Sequence, residues 1–263
     1  MPEGLSSIVA AIIASKLIIV GLWFFAFFIG ERLASVASAP SAKARLIRNG
    51  GLWLIVLIIS PLIVAPITAL GGNEILWRRP SAGEFAVLLL VIDIVLLDLW
   101  TYGVHRAYHR VPVLWRFHKV HHFDEFLDST SAFRFHFGEV IISAVLRLAP
   151  IAIFAIPLTH VLVFEILVLL AAIFHHSNLR IPGWLERWLS WVIVTPSIHW
   201  VHHHATRADT NSNYATVFSF WDRLFASRSQ TKRTRAMKIG VEAVEDQSLL
   251  RLILTPFMRS RTR

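Results

Sequence analysis

The sequence predicts an all-α integral membrane protein. About four transmembrane helices, or three and a re-entrant hairpin, stand beneath a cytosolic cap of histidine-rich helices. Three observations carry this. Hydrophobic residues make up 55% of the 263 residues and the mean hydropathy is +0.58, too apolar for an ordinary soluble domain. The apolar residues gather in long runs that hold few charges. All 13 histidines fall between His105 and His204, most of them outside those runs.

In chain order, the opening MPEGLSS lacks the basic region and small-residue cleavage site of a signal peptide. Residues 8–29 form a first span in which only Lys16 is charged, near enough to the end to snorkel. A basic loop with Arg32, Lys43, Arg45 and Arg48 follows. Residues 52–70 form a second span, kinked by Pro61 and Pro66. Residues 71–83 are a turn-rich loop carrying Arg78 and Arg79, and 84–104 form a third span that runs straight into the first histidines. Residues 140–174 are a hairpin divided near Pro157. Its second half is short and carries Glu165, so a re-entrant hairpin stands beside two full spans.

The cap takes residues 105–136 and 175–263. Within it Thr195 as N-cap and Pro196 at the first position start a helix. The tail from Arg228 is basic, with an amphipathic piece at 249–258 and then Arg259, Arg261 and Arg263. It reads equally as a membrane-surface segment or a solvated end. The whole chain, 1–263, is one domain.

The net charge of +9 would suit nucleic acid, but it flanks apolar runs, and a membrane surface accounts for it instead. Lys and Arg crowd into 31–50, 105–136 and 175–263. Only Arg78 and Arg79 lie on the other side, while Lys16 and Arg147 lie within spans. The positive-inside rule puts the histidine stretches in the cytosol, at a bacterial inner membrane in preference to the endoplasmic reticulum. His160 alone sits at the far turn and is excluded as a ligand. No cysteine is present, so there is no disulfide framework and no thiolate ligand.

His105 and His109 stand at i, i+4 and leave one face of a helix, with Asp98 and Tyr102 on that face below them. Pro112 ends that helix. His118, His121 and His122 follow at i, i+3, i+4, and the spacing returns at His199, His202 and His203. A lone histidine is ordinarily a core or surface residue, but three such boxes are another matter. Imidazole is the commonest metal ligand. Two metals at four to six ligands each need roughly eight to twelve donors, about what the chain supplies. The boxes therefore point to a histidine-bound metal pair.

The order of these boxes, with STSAFRFHFGE at 129–139, FHHSN at 174–178 and NYATVFSFWDRLF at 213–225, resembles the fatty acid hydroxylase / sterol desaturase superfamily. The resemblance covers about residues 90–226. It implies a membrane-bound non-haem oxygenase with two Fe ions that uses O2 to hydroxylate or desaturate a lipid such as a fatty acyl chain, sterol or other isoprenoid. Zinc can replace the iron in a purified sample. Carried over by motif, the ligands are His105, His109, His118, His121, His122, His199, His202 and His203, with His176 as the ninth and His175 its alternative. His136 stands as a ligand or as a group behind one, and His204 as a surface or supporting residue. Some members carry a further histidine four residues before HHS, where this chain has Ala171 and Ala172.

Cleaving an unactivated C–H bond needs an oxidant that side chains alone cannot make. The protein's part is to hold the ligand rings by their second N–H, and the candidates for that are Asp98, Glu139, Asn178 and Asp222. No haem or flavin motif is fused to the chain, so a separate electron donor, a ferredoxin or a cytochrome b5-like protein, is implied for the basic face. The partners are thus a lipid substrate, this donor and the membrane. Membrane acyl-lipid desaturases and alkane hydroxylases share the three-box logic but generally lack the RFHFGE and WDRLF stretches. A zinc hydrolase would need H-E-x-x-H, which is absent, and a metal transporter would place ligands within the spans. The substrate should enter sideways from the bilayer, past Leu97, Trp100, Tyr102, Val140, Ala144 and Phe174.

Overall fold

The computed structural model describes residues 3–40, 43–71, 76–79 and 83–258. Among these every element is helical, and pairing between extended segments is limited to isolated bridges. The helices are α1 (Glu3–Ala14), α2 (Lys16–Leu33), α3 (Lys43–Ile59), α4 (Ala65–Gly71), α5 (Ala86–Arg110), α6 (Pro112–His122), α7 (Phe137–Phe154) and α8 (Leu158–His176). The shorter α9 (Gly183–Val192), α10 (Pro196–His202), α11 (Arg207–Thr210), α12 (Phe220–Leu224) and α13 (Leu249–Leu254) complete the cap.

Four helical stretches are long and apolar enough to cross a membrane: Lys43–Gly71, Gly83–Arg110, Phe137–Phe154 and Leu158–His176. Both halves of the predicted hairpin thus qualify as full spans. Pro61 sits in a π-helical turn, Ser60–Val64, that joins α3 to α4 without breaking the span. The first expected span differs, because it bends by 61° between Ser6–Ala14 and Lys16–Leu33. Lys16 does not snorkel to an interface. Its ammonium meets Glu165 of α8 at 3.3 Å, and Arg147 of α7 meets the same carboxylate at 3.3 Å. A carboxylate inside a span is tolerable when it is paired in this way.

Helix α5 runs on to Arg110, beyond the expected bilayer limit at 104, so His105 and His109 stand on a continuous helix. Val111 is extended and Pro112 takes the first position of α6, where its missing N–H costs nothing. Helix α7 starts close against α6. A Cβ on Gly138 would come within 2.6 Å of the Phe117 ring, so only glycine permits that approach.

One apolar cluster, Leu97, Ile151, Ile156, Val161, Phe164 and Val217, joins α5, α7 and α8 to the loop before α12. A second, Tyr102, Val194, Tyr214, Ala215 and Trp221, seats the cap on α5. Leu97 and Ala144 are 0% and 1% exposed, and Tyr102 stacks on Phe225. These three are packed in the core and form no open wall for a substrate. Leu252 of α13 is fully buried with Leu52, Val120 and Phe123, while Leu250, Leu254, Phe257 and Met258 stay exposed on the other side of this amphipathic piece. Arg259, Arg261 and Arg263 lie outside the described residues.

Candidate metal centre

The nine histidines named above as ligands converge into two groups. His105, His109, His118, His122 and His202 form one, and His121, His176, His199 and His203 the other. Within each group the nitrogens that could bind a metal lie within 4.8 Å of one another. The groups adjoin, with His122 and His203 stacked at 4.3 Å between ring centroids.

Helix geometry explains the partition. At 100° per residue, i+4 lies about 40° to one side of i and i+3 about 60° to the other. His118 and His122 therefore serve one group while His121 turns to the other. In the second H-x-x-H-H box His199 and His203 share a group and His202 crosses over. Each box thus feeds both groups, and the two boxes do so reciprocally.

The ring tautomers follow from what stands behind the rings. Nδ1–H of His105 donates to the Tyr214 carbonyl at 2.7 Å, and that of His118 to Glu139 Oε1 at 2.7 Å. His121 donates to the Arg134 carbonyl at 3.0 Å, His176 to that of Ala172 at 2.8 Å, and His202 to that of Ser212 at 2.6 Å. A carbonyl can only accept, so Nδ1 carries the proton and Nε2 is left with a bare lone pair. Yet Nε2 of His105 faces Nε2 of His118 at 3.1 Å, and Nε2 of His121 faces that of His176 at 3.0 Å. Two lone pairs aimed at each other in a dry interior repel. A cation between them turns each pair into ligands, and the buried Nε2 of His202, which has no partner, joins them. The donor set therefore fits metal ions.

Electrostatics agree in the cap. Burial, reinforced by neighbouring imidazoles, holds His121, His122, His199 and His203 well below the ordinary histidine value. Burial pushes His202 down to about 3. These rings are neutral near pH 7, as metal ligation requires.

Of the groups expected behind the rings, Glu139 does bond His118. Asp98 does not touch a histidine. It accepts from the backbone N–H of Val217 and Phe218 at 3.2 and 3.0 Å and from Trp221 Nε1 at 2.8 Å. Asp222 accepts from the N–H of Tyr214 and Ala215 at 2.8 and 3.0 Å. Both carboxylates therefore fix the loop whose Tyr214 carbonyl holds His105. His136 caps α7, accepting from Gly138 N–H at 2.9 Å while its Nε2 donates to the Ile253 carbonyl, and it joins neither group. Asn178 bonds both backbone groups of Ala37 and touches no ligand ring. His175 joins neither group, though it packs on His199 at 4.0 Å. His204 pairs with Asp209 at 2.8 Å. Thr195 caps α10 without a side-chain bond, because its hydroxyl donates to Glu186 instead.

Sequence reading missed a charged network behind the box of His118, His121 and His122. Arg45 of α3 binds Asp124 and Asp128 at 2.6 and 2.7 Å, and buried Arg134 donates to the Val120 carbonyl at 3.0 Å and pairs with Asp246. Glu31 of α2 accepts from Ser129 and Asn178. No spacing marked these residues in the sequence, because Arg45 lies in the basic loop before the second span and Asp124 and Arg134 in the cap stretch 105–136.

His160 bonds Asp93 at 2.7 Å, and Arg79 grips the same carboxylate with two bonds of 2.7 and 2.9 Å. His160 lies sixteen residues before His176 on α8, roughly 24 Å along the helix. His160→Ala is expected to leave turnover near the parent value, because Asp93 keeps Arg79; a product assay at matched expression checks it. Glu139→Gln is expected to lower metal retention or activity about ten- to a hundredfold, read by chelator competition.

The profile of the fatty acid hydroxylase family matches residues 90–227. Ornithine lipid hydroxylase OlsE of Rhizobium tropici is 27% identical over 202 residues, covering 76% of this chain and 59% of that protein. Alkylglycerol monooxygenase of Homo sapiens is 30% identical over 131 residues, 50% of this chain and 28% of its own length. Cholesterol 25-hydroxylase of Rattus norvegicus is 25% identical over 182 residues, 63% of this chain and 56% of its own. The chain thus aligns with 59% or less of the length of these relatives. No solved structure matches.

Proposed function

Because the chain belongs to the fatty acid hydroxylase family, we propose that it hydroxylates a membrane lipid with O2 at a pair of iron ions. The observation that carries this reading is the division of nine histidines into groups of five and four. His105, His109, His118, His122 and His202 would hold one ion, and His121, His176, His199 and His203 the other. Bound there, the iron pair supplies the redox chemistry that lets O2 attack an unactivated C–H bond. The names of the three relatives, all lipid hydroxylases or monooxygenases, support a lipid as substrate.

The chain's own contribution is positioning and exclusion of water. Glu139 and the carbonyls of Tyr214, Arg134, Ala172 and Ser212 aim the rings. Phe135 stacks on His121 at 4.6 Å and Trp115 covers His109 and His122. Their apolar faces keep the centre dry. In hydroxylation one oxygen atom enters the C–H bond and the other leaves as water, which consumes two electrons and two protons. The electrons come from a separate donor, a ferredoxin or cytochrome b5-like protein, meeting the basic cap on the cytosolic side. The substrate stays in the bilayer, since moving an acyl chain into water costs about 0.8 kcal/mol per CH2.

Lipids extracted from a host that expresses the chain test the reading by mass spectrometry. A lipid heavier by one oxygen atom, with the label of 18O2 and absent with His202→Ala, is the expected result. A product lighter by two hydrogens would assign desaturation, and an unchanged lipid profile with an electron donor present would refute the proposal.

A further inference from the structure

Helix α9 is built inside out. Trp184, Trp188 and Trp191 recur at i, i+4 and i+7 and share one face. They are 67%, 70% and 60% exposed, with exposed Val192 beside them, and no residue of the helix is buried. Glu186 and Ser190 are half-buried and turn toward the cap. Glu186 accepts from the Thr195 hydroxyl, and the Ser190 carbonyl accepts from the Ser219 hydroxyl and from Arg223. A helix bathed in water would show the reverse order.

The apolar patch does not stop at α9. The Arg223 guanidinium lies 4.4 Å over the Trp191 ring, and Leu224 and Phe225 beyond it are exposed. Nor is the patch remote from the spans. The Arg180 N–H donates to the Ala34 carbonyl at 2.7 Å, so the chain enters α9 at the level where α2 and α8 both end. Ten residues reach about 15 Å, half of the hydrocarbon thickness, so α9 cannot cross the bilayer. Indole rings concentrate at the membrane–water boundary, where their apolar body and N–H are both satisfied. Exposed Arg180 and Arg187 flank the tryptophans and match anionic headgroups.

We propose that α9, with Leu224 and Phe225, docks in the headgroup–acyl boundary of the bilayer as a tryptophan anchor for the cap. Three residues separate α9 from α10; the Thr195–Glu186 bond ties the two helices together, and the Ile193–Phe218 bridge fixes the linker to the loop before α12. The anchor therefore holds the helix of His199, His202 and His203 at the membrane surface.

The chain has no cysteine, so a single introduced thiol reports cleanly. The full-length variants Trp188→Cys and Leu224→Cys carry a nitroxide label in phosphatidylcholine–phosphatidylglycerol vesicles, with exposed Gln230→Cys as the aqueous reference. Collision with O2 and with a water-soluble nickel chelate is then measured. The proposal expects both labels to be several-fold less accessible to nickel than the Gln230 label while remaining open to O2. Nickel access equal to that at Gln230 would overturn it. Shielding from both reagents would also overturn it, assigning the patch to a second copy or a protein partner. If Trp188→Cys fails to fold, the Leu224 label decides. The readout is depth, not turnover, so its failure would leave the proposed hydroxylation standing, and failure of the hydroxylation would leave the anchor standing.

Discussion

His121→Ala is expected to abolish lipid hydroxylation and to leave the chain holding about one metal ion instead of about two. His121 belongs to the smaller group, whose other members are His176, His199 and His203. Three imidazoles are a catalytic-site complement for zinc, but the lost ring also removes the bond that ties the group to the Arg134 carbonyl. His202→Ala should strike the other group, leaving His105, His109, His118 and His122. Because each H-x-x-H-H box feeds both groups, neither substitution spares the pair. Retained turnover in either variant, at matched expression, would show that the reciprocal arrangement is not the working one.

The second large effect belongs to Asp98→Ala. Its carboxylate is fully buried and accepts from three donors, the N–H groups of Val217 and Phe218 and the indole of Trp221. Removal leaves two buried donors and a part-buried one unsatisfied, at a cost of about 3 kcal/mol. The loop they belong to presents Tyr214, so loss of order there frees the His105 ring as well. The expectation is a protein that unfolds at lower temperature and releases metal to a chelator faster than the parent. Asp98→Asn should fall between the two, since its amide oxygen still accepts while its NH2 faces donors. A variant with parental thermal stability would show that the loop is held by its apolar contacts alone.

How far the sequence spoke depends on the range of the interaction. His105 and His109, or His199 and His203, are neighbours because a helix repeats, so their convergence on one face could be read from spacing alone. The crossing of His121 and His202 follows from the same angles, and yet which group each joins depends on how the tertiary fold brings the rings of α6 and α10 face to face, as in the His122–His203 stack. Asp98 shows the limit. Its position below His105 on the same helical face suggested a bond to that ring, but its donors lie about 120 residues later and arrive through the tertiary fold. Backbone carbonyls were illegible for a different reason. Every residue has one, so nothing in the letters marks Arg134, Ser212 or Tyr214 as the acceptor behind a histidine. The bend at Ser15 was hidden likewise, because it accompanies the pairing of Lys16 with Glu165, a residue 149 positions away.

The most direct test of the account is a metal count on the full-length chain, purified under reducing conditions and saturated with iron. Two histidine groups predict about two ions per chain, with nitrogen as the dominant neighbour in X-ray absorption. Saturation at a single ion per chain would contradict the paired centre, and with it the reading of the nine histidines as two sites.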